Sequence, residues 1–153
     1  MNQPLIQAQP VELYVYPITV ERIYCGPAAL MSISGVEKRD VTAWINEAKG
    51  RRHNVGVIGT SYAELEHGIK KAGFNFIRTD LECSNSNHVS VEKFALGNPT
   101  GLFILCAGNH YLTLGGGLIQ DIHARFGAPP HEHKYRQKWV KKAWRILPPG
   151  GQP

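Results

Sequence analysis

Residues 22–35 read RIYCGPAALMSISG, and the reading of this stretch decides how the rest of the chain is understood. A cysteine that only fills space can sit anywhere in a helix or strand. Cys25 sits where a helix begins. Pro27 suits a first turn, because its missing N–H is one that no helical carbonyl would claim. Ala28, Ala29, Leu30 and Met31 favour the helix, and Gly35 is a natural stop. At such a position unpaired N–H groups and the helix dipole favour the thiolate, which is the reactive form of a thiol.

Working outward from this helix, punctuation and period divide the chain. Residues 11–20, VELYVYPITV, are extended in character. Asp40 caps a second helix through about Lys49, ended by Gly50, and RRHNVGVIGT (51–60) is a loop. Ser61 with Glu64 forms a capping box for a third helix, with Leu65, Ile69 and Ala72 on one face and Gly73 at its close. FNFIRT (74–79) alternates as a strand. Ser90 caps a short helix ending at Gly97. GLFILCA, HYLTL and LIQDI then read as strands joined by turns, GAPPHEH (127–133) as a loop, and KWVKKAWRIL (138–147) as a last strand. Helices come first and antiparallel strands second, so the fold class is α+β, with N-terminal helices packed on a C-terminal sheet.

The 153 residues, 42% hydrophobic and 19% charged, suit one globular domain with a core of its own. That domain spans 1–153, with an extended segment at 1–17 and a flexible tail at 148–153. No apolar run reaches membrane-spanning length, and the N-terminus lacks the basic and apolar regions of a secretory signal. Three scattered cysteines, at 25, 83 and 106, read as free thiols in a reducing compartment, so the expected location is cytoplasmic. The net charge of +5 is uneven: Lys134 to Arg145 holds six basic residues and no acidic one, and taking these six from +5 leaves −1 elsewhere. This segment can meet an acidic partner, but a solvated strand face is the simpler reading, and nucleic acid is not the expected ligand.

A nucleophilic thiol needs an imidazole to move its proton, and the partner is commonly distant in sequence. His110 opens a strand in the second half, and Asp121, on the next strand, can orient it. The hairpin decides whether they meet. A two-residue turn at Gly115-Gly116 pairs Leu114 with Gly117 and sets His110 opposite Asp121. A turn at Gly116-Gly117 leaves Asp121 diagonal to His110 but on its face. A three-residue turn sends Asp121 to the other face. The face with His110 also holds Leu112 and Leu114, and it is expected to turn toward the start of the Cys25 helix.

The order of CGPAAL (25–30), GTSYAELEHGIKKAGF (59–74) and GNHYLTLGGGLIQDI (108–122) resembles the papain-like cysteine peptidases. Within them it is most similar to small bacterial peptidases related to the bacteriocin-leader (double-glycine) processing domain. The resemblance covers about Ile18 to Leu147. It implies a papain-like fold, with Cys25 as nucleophile, His110 as base and acid, Asp121 as the orienting residue, and no cofactor. The family usually places a glutamine six residues before the cysteine to hold the oxyanion. Thr19 stands there in this chain, so the oxyanion falls to the Cys25 backbone N–H, joined by the Thr19 hydroxyl or a donor from a loop.

The remaining candidates carry less. Cys106 lies inside an apolar strand and Cys83 has no evident activator. His123, two residues beyond Asp121, is a rival imidazole. His131 and His133 flank Glu132 like a metal pair but lack a recognised ligand spacing, so no metal is expected. Trp139 and Trp144 among lysines fit a strand core better than base stacking. These observations lead to a hydrolase that cleaves amide bonds in a protein or peptide through an acyl-enzyme. The alternatives are a glutamine deamidase or transglutaminase-like enzyme of the same fold, and a non-catalytic binding module that uses the basic C-terminal face.

Overall fold

Gly26 through Ile33 are all buried, so the first long helix has apolar surroundings on every side and must lie in the middle of the fold. The computed structural model describes residues 6–7, 13–20 and 22–149. Much of the N-terminal extended segment and residues 150–153 of the expected tail lie outside them. Strands β1 (Ile6–Gln7) and β2 (Tyr14–Val15) pair antiparallel. Helix α1 (Cys25–Ser34) follows, then α2 (Lys38–Lys49), α3 (Tyr62–Lys71) and α4 (Val91–Gly97). The second sheet contains β3 (Asn75–Asp80), β4 (Leu102–Ala107), β5 (His110–Gly115), β6 (Leu118–Asp121), β7 (Ala124–Ala128) and β8 (Val140–Leu147). Its order is β3-β8-β4-β5-β6-β7, and every pairing is antiparallel. This is an α+β papain-like arrangement, with the helix that starts at Cys25 packed on an antiparallel sheet.

Local chemistry accounts for most boundaries. The capping box at α3 is complete: Glu64 N–H donates to Ser61 Oγ at 3.2 Å, and Ser61 N–H to Glu64 Oε1 at 2.7 Å. Two expectations need correction. Helix α2 starts at Lys38, with Glu37 at the N-cap position and no side-chain capping bond, so Asp40 lies in its first turn rather than at its cap. There its charge faces the positive end of the dipole, and the added residues leave Val41 and Ile45 fully buried. Strand β7 was not expected. It is a short edge strand with an irregular register against β6, and an exposed edge carries little alternation to read.

Two cores lie on opposite faces of the sheet. On one, α1, α2 and α3 cover Leu102, Ile104, Cys106, Tyr111, Trp144 and Ile146. On the other, α4 and neighbouring loops cover Phe103, Leu105, Leu112, Leu114, Ile119 and Ala143. The expected basic segment is divided by this arrangement. Lys142 donates to Asp80 at 2.9 Å and sits 4.8 Å above the Tyr62 ring, whereas Lys138, Lys141 and Arg145 are exposed. Among the described residues no helix is long and apolar enough to cross a membrane.

The loop before α3 presses against the first turn of α1. A Cβ at Gly26 would run into the Thr60 side chain, and Thr60 is held from the other side by the Tyr111 hydroxyl, which donates to its carbonyl at 2.8 Å. Gly26→Ala is therefore expected to destabilise the protein by about 1–3 kcal/mol through overpacking, although alanine is the better helix former. Urea denaturation checks this; an unchanged or raised midpoint would show that the contact yields freely.

Candidate active site

The geometry begins at a turn. Gly116 and Gly117 both have positive φ, 56° and 84°, which a two-residue hairpin turn of this hand requires and side-chain-bearing residues resist. Gly115 then pairs with Leu118, Leu114 with Ile119 and Thr113 with Gln120. Of the registers considered, this is the diagonal one. It keeps His110 and Asp121 on one face, and His110 Nε2 lies 2.7 Å from Asp121 Oδ2.

Asp121 is 2% exposed. Its Oδ1 accepts from the backbone N–H groups of His123 and Ala124, at 3.0 Å each, and faces His133 Nε2 at 3.0 Å. Burial alone would raise its pKa. The hydrogen bonds from His110 and His133 outweigh that and hold the carboxyl well below the usual range, so it is ionised.

Cys25 begins α1, and Tyr24 offers its first turn no side-chain cap. The body of α1 covers the sheet face that carries Tyr111. His110 belongs to the opposite face, with Leu112 and Leu114, so the sequence expectation that this face turns toward α1 needs refinement. His110 is the first residue of β5, and the two side chains meet around the end of the sheet. The thiol is within hydrogen-bonding reach of the His110 imidazole and of the Tyr111 backbone N–H. With Nε2 engaged by Asp121, the nitrogen left for sulfur is Nδ1. Burial would raise the Cys25 pKa, but these two hydrogen bonds, the charge of His110 and the Cys25 N–H bring it below its ordinary value. For His110, burial opposes protonation, and the bonds to Asp121 and then Cys25 overcome it, raising the pKa to about 9. A thiolate beside an imidazolium is a charge pair suited to nucleophilic attack followed by proton donation.

The other predicted residues fall elsewhere. Thr19 is exposed and lines a cleft with Met31, Gly35 and Glu37. Met31 lies six positions along α1 from Cys25, about 9 Å of helix rise away. His123 is exposed, its ring centroid 5.6 Å from that of His110. One donor atom each from His110, Asp121 and His123 lies within 4.8 Å of the others, so among the described residues these three can converge on a metal. His131 is exposed, while His133 is buried against Asp121, so the pair does not converge. Cys83 is exposed and Cys106 buried. Trp144 is fully buried, and Trp139 stacks on His88 at 4.2 Å. Two further residues stand here: His133, singled out in the sequence only as half of a metal-like pair, and Tyr135, which the sequence did not mark and whose ring lies 4.9 Å from that of His110. They sit in a segment with no period, and only the return of the chain after β7 brings them here.

Two clefts lie near the site, and one of them borders the first turn of α1 at Tyr24 and Pro27. One, of about 360 Å³, is lined by Gly59, Thr60, Tyr62, Cys106, Gly108 and Tyr111. The other, of about 490 Å³, is lined by Arg22, Tyr24, Pro27, Lys38, His53 and Val57, among others.

No family model and no curated protein matches the sequence. Among solved structures, the chain is similar to a double glycine motif protease from an AMS/PCAT transporter, crystallised in complex with the leader peptide. The identity is 14% and the TM-score 0.56, over 97% of this chain and 99% of that one. The likeness is one of fold.

The raised His110 pKa has a consequence for stability. A group held protonated in the folded state stabilises it fully below the unfolded pKa, near 6.5, and loses that contribution as pH rises through the folded value. The Cys25 thiol titrates in the opposite sense, so the part of the effect that comes from Asp121 is isolated in Cys25→Ala, where the thiolate is gone. In that variant, unfolding free energy is expected to fall across this window, and His110→Gln in the same background to abolish the slope. Denaturant titrations at several pH values check it; equal slopes in the two proteins would contradict the His110–Asp121 pairing.

Proposed function

We propose that the chain is a single-domain cysteine hydrolase that cleaves amide bonds in a peptide or protein, with Cys25 as nucleophile, His110 as general acid and base, and Asp121 as the orienting residue. The observation that carries this reading is the convergence of a helix-start thiol, an imidazole and a buried carboxylate from three separate elements. The Cys25 thiolate attacks the carbonyl carbon, and the carbonyl oxygen takes the negative charge next to the Cys25 backbone N–H. As the tetrahedral species collapses, the C–N bond breaks and His110 gives its proton to the departing amine. The acyl group remains on sulfur. His110, now neutral, takes a proton from water; the resulting hydroxide attacks the thioester, the C–S bond breaks, and the thiolate–imidazolium pair returns. We assign Thr19 no part, because its cleft lies toward the far end of α1.

The solved neighbour's leader peptide supports a peptide as substrate here. The cleft beside Tyr24 and Pro27 supports the same choice, since Tyr24 and Ile58 on its rim are 52% and 74% exposed. Arg22, Lys38 and Arg39 line it without an acidic residue, so the peptide segment that lies there carries acidic and apolar side chains. The free thiols fit a reducing, cytoplasmic setting.

Brief iodoacetamide treatment near pH 6, read by mass spectrometry, tests the nucleophile. Cys25 is expected to be labelled at least about tenfold faster than Cys83, whose thiol has no such partners, and His110→Ala to remove the advantage. Labelling of Cys25 at the rate of an ordinary thiol would sink the proposal. Ammonia release from a glutamine-containing protein without chain cleavage would move the reading to the deamidase class.

A further inference from the structure

We propose that His133 is a positioning residue of this site, donating from Nε2 to Asp121 so that the carboxylate holds His110 in one orientation. The unit is then four residues deep: Cys25, His110, Asp121, His133. The inference rests on the function proposed above and extends it to a residue outside the thiol–imidazole–carboxylate set.

The hydrogen bonds settle the state of His133. The Tyr135 backbone N–H donates to His133 Nδ1 at 3.0 Å, so Nδ1 carries no proton. The ring proton is therefore on Nε2, 3.0 Å from Asp121 Oδ1. The imidazole is neutral and its tautomer is fixed by the backbone. Its side chain is 1% exposed, and a buried imidazole with both nitrogens engaged is costly to replace by anything without both partners.

The placement on Asp121 shows what His133 does. Oδ1 takes three donors: the His133 ring and the backbone N–H groups of His123 and Ala124. Oδ2 faces His110. Three donors on one oxygen stop rotation of the carboxylate, so the other oxygen points at the catalytic imidazole. The two backbone donors belong to the turn before the edge strand β7 and to its first residue, whereas His133 is buried and is the firmer anchor. Among the described residues, the ionisable groups near His133 are Asp121 and Tyr135 in contact, and His110, His123 and Lys134 around the Tyr135 ring. Because His133 is neutral, it fixes Asp121 without placing a second positive charge beside His110.

Two variants and one spectrum test this. His133→Leu keeps bulk and removes the donor; His133→Gln keeps an N–H donor at the Nε2 position. The rate of Cys25 alkylation near pH 6 is expected to fall roughly tenfold in His133→Leu, the effect of one charge-assisted hydrogen bond, and to stay within about threefold of wild type in His133→Gln. The midpoint of the alkylation–pH profile is expected to move in the leucine variant and to return in the glutamine variant, which a packing defect would not produce. In the wild-type protein, long-range ¹⁵N–¹H spectra should show His133 as the Nε2–H tautomer, and this measurement stands if His133→Leu does not fold. A His133 whose proton sits on Nδ1, or leucine and glutamine variants with the same alkylation profile, overturns the proposal. Ordinary reactivity of Cys25 in the wild type, with His133 still locked, would instead overturn the hydrolase reading and leave the Asp121–His133 anchor in place.

Discussion

An ionised carboxylate buried in the sheet is the constraint to which the rest of this structure answers. Desolvating Asp121 costs several kcal/mol unless its oxygens are filled with donors. The donors come from far apart: His110 from the start of β5, His123 from the turn after β6, Ala124 from the start of β7, and His133 from the segment that follows β7. No local structure supplies that set. The glycine turn must put His110 and Asp121 on one face, and the edge strand must return the chain so that His133 arrives from outside. The segment from Leu118 to Tyr135 is therefore one polar assembly built around a single side chain, although only part of it lies in regular strands.

The position of Cys25 follows from a second requirement, that helix and imidazole occupy opposite faces of the sheet. Helix α1 needs apolar cover on every side and finds it on the face with Ile104 and Tyr111. Asp121 and His110 have the opposite face, with Leu112 and Leu114. Contact between them is possible only where the sheet ends, so the thiol is the first residue of its helix and the imidazole the first of its strand. The Tyr111 N–H, pointing along that end, adds a donor to the sulfur that neither side chain provides. The same end places the Tyr135 ring over His110, which limits water at the imidazole while the clefts near the site remain open.

Signals carried within a few residues were legible in the sequence. Ser61 with Glu64, the triple glycine before Leu118, and the Cys-Gly-Pro helix start each have one physical meaning at one spacing, and each led to the right element. Parity along β5 and β6 was legible for the same reason, since alternation needs only the turn length to be fixed. The start of α2 was misplaced because Asp40 fits both a cap and a first turn. Strand β7 and the role of His133 were not legible, because an edge strand has one neighbour and no buried face to impose a period. The meeting of His133 with Asp121 depends on the path of the intervening chain, and no spacing rule records that path.

Strand β6 joins the two requirements in adjacent residues. Asp121 points to the face with His110, and Gln120 points to the other. There its Nε2 donates to Tyr16 O at 2.5 Å and approaches Ser32 Oγ at 2.9 Å, tying the strand to α1 and to the segment beside it. A register slip of one residue would exchange the two side chains. The carboxylate would then face the Tyr16 carbonyl and a serine hydroxyl already donating to Ala28 O, an acceptor against acceptors. The amide would face His110, which it could not hold protonated. Both errors arise together, so the positions of α1 and of the imidazole are set by one register. The two positive-φ glycines that fix it are therefore as much a part of the site as the residues that line it.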